Sequence, residues 1–170
     1  MNLEFKHLLP DSFSPNSRVW IYQSSRLFTM NEALQLEQLL QQFAAEWKSH
    51  GDSVDAYANL LFGQFIVLMA DESRTTVGGC STDSSQRFIK SLEQAFGVEL
   101  FNRSNLAFFI KDKVQVLPMN QVTYALENGF LTPETPYFNN TVLTKKEMEE
   151  SWIVPLKNSW LSKKFGLATA

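Results

Sequence analysis

Gly78-Gly79-Cys80-Ser81-Thr82-Asp83-Ser84-Ser85 is the stretch of this chain with the most capacity for chemistry. Two glycines open the backbone to angles that other residues avoid. The segment runs into a helical pattern, and the free amides and dipole of a helix N-terminus favour anions. A cysteine in such a place can be a reactive thiolate, a nucleophile or a redox centre. Two kinds of chemistry follow. One is binding of a small anionic ligand by Gly79, Ser81, Asp83 and Ser84, with Arg18 and Asp71 at the same sheet edge. The other is thiol catalysis by Cys80 with His50 as its base. Plainer roles compete with both. Ser, Thr and Asp cap helices, paired glycines make loops, and a lone cysteine is most often a small buried hydrophobe.

Other chemistries are poorly supplied. Phe65 to Ala70 is an apolar run ending in Asp71-Glu72, as in a nucleotide hydrolase. A phosphate loop would need Gly-x-x-x-x-Gly-Lys-Ser/Thr. None of the 7 glycines is followed by lysine, so no ATPase activity is expected. His7, His50 and Cys80 are the soft metal ligands, whereas a structural zinc site takes four. No metal and no cofactor are expected.

The elements that must position these residues are legible in outline. Arg18 to Gln23 alternates β-branched and aromatic residues and predicts a strand, apolar on both faces. Thr29-Met30-Asn31-Glu32 is a capping box that opens a helix. Its apolar stripe runs from Ala33 to Trp47, Gly51 is the expected stop, and His50 falls in the last turn. Asp55 to Phe62 and Phe65 to Ala70 are strands joined at Gly63-Gln64. Asp83 is the expected cap of a second helix that ends at Gly97. Leu106 to Ile110 and Val114 to Leu117 form a hairpin, followed by short helices near Gln121–Glu127 and from Thr144 to Trp152.

The first 110 residues thus read strand, helix, strand, strand, helix, strand. That order predicts an α+β fold of the ferredoxin-like split βαβ kind (βαββαβ), with one antiparallel sheet and a C-terminal hairpin and short-helix extension. Residues 1–17 read as an N-terminal arm, 18–161 as a single domain, and 162–170 as a frayed tail. The central strands are apolar on both faces. The bare side of the sheet therefore needs cover from the hairpin, the C-terminal elements or a second subunit, which makes a homo-oligomer an expectation.

Composition sets the remaining bounds. The chain has 170 residues, 44% hydrophobic and 19% charged, enough to bury a large core without staples. A net charge of -3 argues against a broad nucleic-acid face. Charge is uneven, with 5 basic and 10 acidic side chains in residues 1–85 against 10 and 8 in the rest. One cysteine excludes an internal disulfide, and the longest apolar run is far short of a membrane span. Met1 to Pro10 lacks the apolar core of a secretory signal. The expectation is a cytoplasmic protein with no membrane partner.

Arg18 to Gln23, Gly79 to Asp83 leading into Phe88 to Gln94, and Phe138-Asn139-Asn140 together carry a resemblance. They are similar to an uncharacterised family of small bacterial proteins of Bacteroidetes type, often labelled "ABC transporter ATPase". The resemblance runs from about Arg18 to Phe165 and implies no catalytic residue. The function expected is a non-catalytic module that binds a small ligand or a protein partner. The alternative is a thiol-dependent enzyme or redox sensor built on Cys80.

Overall fold

The computed structural model describes residues 1–167. Strand β1 (Arg18–Gln23) leads through a turn to helix α1 (Met30–Glu46), which opens with the expected capping box. Thr29 Oγ1 accepts from the Glu32 amide at 3.2 Å, and Glu32 Oε1 accepts from the Thr29 amide at 2.9 Å. The Arg26 guanidinium and the Thr29 amide hold the Glu32 carboxyl down at about 2. A depressed carboxyl of this kind adds stability above its unfolded value of about 4.3, and the contribution is lost as pH falls toward 2.

α1 does not reach Gly51. The chain turns extended at Trp47, whose buried indole donates to Ser81 O at 3.0 Å. Strands β2 (Lys48–Ser49) and β3 (Asp52–Ser53) then form a small hairpin. His50 and Gly51 are its two turn residues, at φ 52° and 83°. Two positive φ values are what a two-residue hairpin turn demands, so Gly51 serves a turn rather than a helix stop.

β4 (Asp55–Leu61) and β5 (Phe65–Asp71) follow, and β5 lies between β1 and β4 in an antiparallel sheet. Every residue of β5 is buried. Helix α2 (Gly79–Phe96) starts earlier than Asp83 predicted. Gly78 is its N-cap, and the Thr82 amide already donates to Gly78 O at 3.0 Å. Asp83 therefore sits inside the helix. The hydroxyls of Thr82, Ser84 and Ser85 donate to carbonyls three or four residues back.

The sheet order β1-β5-β4 is the order a split βαβ unit gives its first three strands, but the fourth strand is elsewhere. β6 (Asn105–Ile110) pairs with β7 (Lys113–Pro118) on one side and β8 (Pro136–Phe138) on the other, and β9 (Ile153–Pro155) completes this second sheet. Both edges of β6 are taken, so it cannot also extend the first sheet. It packs face-on instead. Val19, Ile21, Val67 and Met69 of the first sheet meet Ala107, Val114 and Phe138 of the second, with Trp152 among them. The bare face is thus covered from within the chain, and the reason for expecting a second subunit goes with it.

The far face of the second sheet is also closed. Leu106, Phe108 and Tyr137 pack on Val122 and Ala125 of α3 (Val122–Glu127) and on Leu156 and Leu161, the last in α5 (Leu161–Lys164). The layers run helix, sheet, sheet, helix. Phe165 and Leu167 join this last cluster, so packing continues past 161; 168–170, the end of the expected frayed tail, lie outside the described residues.

The N-terminal segment is anchored to the core rather than a free arm. Phe5 and Leu9 are buried in the cluster between the sheets. Lys145, at the start of α4 (Lys145–Ser151), is buried and donates to Pro10 O at 2.8 Å and Phe13 O at 3.0 Å.

Candidate functional site

The glycine corner is partly assembled as expected. The β2–β3 turn leans on the start of α2. His50 Nε2 lies 3.1 Å from where a Cβ on Gly78 would be, and the Gly78 amide donates to Ser49 Oγ at 3.3 Å. Arg18 Nη1 donates to Val77 O at 3.3 Å, and Val77 N donates to Glu72 Oε2 at 2.8 Å. His50, Arg18 and Gly78 therefore do converge.

The other predicted residues are occupied or apart. Asp71 accepts from the Ser14 amide at 3.1 Å and from Ser73, so it fastens two loops. Ser81 is buried and donates to Lys48 O at 2.8 Å. Ser84 Oγ is spent on Ser81 O, and Asp83 and Gly79 are exposed. Cys80 is exposed rather than buried, and no hydrogen bond joins it to His50 among the described residues. The corner is a well-tied joint with a bare thiol beside it. Among the described residues, no three His, Cys, Asp or Glu side chains cluster as a metal site.

A second place has more of the features of a binding site. With β6 withdrawn into the second sheet, the outer edge of β1 faces a trough. Two adjoining cavities of about 230 and 260 Å³ form it, sharing Ile21, Tyr22, Arg103, Asn140 and Thr141. At one end Val19 N donates to Leu143 O at 3.0 Å. Main-chain groups alternate along a strand, so Ile21, two residues on, also turns its N–H and C=O outward. Among the described residues these two groups have no hydrogen-bond partner.

The trough walls are held by a directional relay. Indole is donor-only, so Trp152 Nε1 must donate to Asn140 Oδ1, at 2.9 Å. That leaves Asn140 Nδ2 to donate to Gln23 Oε1 at 3.0 Å, and Gln23 Nε2 to donate to Asn105 O at 3.1 Å. Each amide orientation is set by the one before it, and each keeps one N–H uncommitted. Across the trough, Trp160 Nε1 donates to Tyr137 Oη at 3.2 Å.

Tyr22 and Arg103 supply the electrostatics. Tyr22 is 6% exposed and stacks edge-on to Phe101 at 5.4 Å, and its hydroxyl, which makes no hydrogen bond among the described residues, is not among the fully buried polar atoms. Burial pushes its phenol up, and the nearby charge of Arg103 pulls it partly back. Arg103 is exposed and makes no ion pair among the described residues. Burial also pushes the Tyr137 phenol up to about 12, opposed by the bond from Trp160. A raised tyrosine stabilises the fold fully below its unfolded value of about 10, and that contribution is lost as pH rises through about 12. Urea unfolding between pH 9 and 12 is expected to show a shallower alkaline loss in Tyr137→Phe than in the parent chain.

None of the trough residues was singled out as a ligand from sequence. Asn140 entered through the resemblance and within Tyr137–Leu143, read as a strand that the structure ends at Phe138, and Tyr22 and Ile21 read as strand core. Arg103 lies in an unpatterned connection, and its role depends on a strand edge that is left open only in three dimensions. No family model, curated protein or solved structure matches this chain.

Proposed function

We propose that this protein is a non-catalytic binding module for a small anionic ligand and that its site is the trough along β1. The observation that carries the reading is that Arg103, exposed and without an ion pair among the described residues, lines both cavities together with Tyr22, whose hydroxyl makes no hydrogen bond among the described residues. A carboxylate seated there accepts from both, and charge-assisted bonds are the stronger kind. Phe101 and Trp160 offer flat apolar walls for the rest of the ligand. The trough lining holds no carboxylate, imidazole or thiol. It therefore has donors and surface but no group suited to moving a proton near neutral pH, which supports binding over turnover.

In this reading the first sheet and its two helices are a ferredoxin-like unit opened at its fourth strand, and the opening is the site. The single cysteine supports a cytoplasmic setting, and the missing phosphate loop leaves ATP hydrolysis out of it. The thiol reading rests on the exposure of Cys80 and the nearness of His50 to Gly78.

Calorimetric titration with indole-3-acetate and benzoate separates the two. The carboxylates are expected to bind, and their neutral amides to bind far less. Arg103→Gln is expected to weaken the carboxylates by about tenfold or more, with Cys80→Ser without effect. Binding that survives Arg103→Gln and is lost in Cys80→Ser contradicts the proposal and moves the site to the glycine corner.

A further inference from the structure

We infer that the natural occupant of the trough is peptidic: a short acidic segment lying along β1 as an added strand, paired with Ile21 and facing Arg103. This rests on the trough being the site, and adds the chemical class of the ligand.

The slot has the edge chemistry of a short added strand and a length that suits one. It is closed at one end where Val19 N donates to Leu143 O and at the other where Gln23 reaches Asn105 O. Between them β1 advances about 13 Å at roughly 3.3 Å per residue, which accommodates about three residues of extended chain. The two cavities share the wall around Ile21, so they adjoin along that edge.

Ile21 presents a donor and an acceptor from the same residue. A simple carboxylate satisfies the donor and leaves the carbonyl unmet. A peptide residue opposite Ile21 exchanges both bonds, as in any antiparallel pair. The uncommitted N–H groups of Gln23 and Asn140 are acceptor-seeking and suit carbonyls on the other edge of such a strand.

Side-chain alternation sets the preferred sequence. A residue opposite Ile21 shares its face, toward the apolar layer between the sheets. Its two neighbours share the face of Tyr22, and Arg103 lines both cavities beside that residue. The pattern is acidic, apolar, acidic.

The test uses the full chain and Ac-Glu-Val-Glu-NH2, with two altered peptides. One carries glutamine for both glutamates. The other is methylated on the valine nitrogen, which removes the donor without touching the protein. Binding is read by calorimetry. Each altered peptide is expected to bind at least about tenfold more weakly, and Arg103→Gln is expected to erase the difference between the Glu and Gln peptides. Equal binding of the N-methylated peptide overturns strand addition. If peptides fail while indole-3-acetate binds through Arg103, the peptide inference falls and the trough reading stands. If neither class binds, both fall.

Discussion

Trp152→Ala is expected to lower unfolding stability by about 3–5 kcal/mol, the range for truncating a large buried aromatic. Trp152 is fully buried. Its ring lies 5.0 Å from Phe5, 5.3 Å from Phe65 and 5.6 Å from Phe138, mostly edge-on. One side chain thus joins the N-terminal segment, the first sheet and the second. Such a loss is a large share of the roughly 5–15 kcal/mol that holds a domain folded. The indole N–H adds a separate effect, because it starts the relay through Asn140 and Gln23. Trp152→Phe keeps most of the packing and deletes that donor, at a cost of about 1–3 kcal/mol for the unmet Asn140 oxygen. It is also expected to weaken binding in the trough, since Asn140 is then free to flip. Urea unfolding and a binding titration on both variants separate packing from positioning. Equal stability of Trp152→Ala and the parent contradicts the two-sheet core.

Deleting residues 1–13 is expected to leave the chain largely unfolded at 25 °C. The deletion removes Phe5 and Leu9 from the core and takes both carbonyl acceptors from Lys145 Nζ. Among the described residues that leaves Lys145 Nζ only the carboxylate of Glu149, at 3.9 Å, and a poorly paired ammonium in a largely buried place is costly. Lys145→Met in the shortened chain removes that poorly paired charge and is expected to restore part of the helical circular dichroism signal. In the full-length chain the same substitution removes two charge-assisted bonds, for a loss of about 1–3 kcal/mol. Opposite signs in the two backgrounds identify Lys145 as the tie that holds the N-terminal segment. A shortened chain that melts like the parent contradicts this role.

Much of the helix and strand pattern was legible because it depends on local chemistry. Thr29 and Glu32 specify a capping box wherever they fall, and the Phe65–Ala70 run announces a strand covered on both faces. The misses share a cause, since each depends on a partner distant in sequence. α1 stops at Trp47 because its indole has a carbonyl to reach at Ser81. Gly78 caps α2 in place of Asp83 because the hairpin of Lys48 and Ser49 meets the chain there. β6 carries the right pattern for the fourth strand of one sheet, yet β8, only three residues long, takes the edge it would have used. The glycine corner was visible as a motif, and the structure does bring His50 to Gly78. The trough was not visible, because a free strand edge is the absence of a neighbour and leaves no mark on Ile21 or Tyr22. Arg103 gains meaning only once that edge is open.

The most direct test of the trough is a map of backbone amide shifts in the ¹⁵N-labelled full chain, titrated with indole-3-acetate. Saturable shifts are expected at Ile21, Arg103 and Asn140, with Gly79, Cys80 and His50 unmoved. Shifts confined to Gly78–Ser84 and His50, with the β1 edge silent, contradict it.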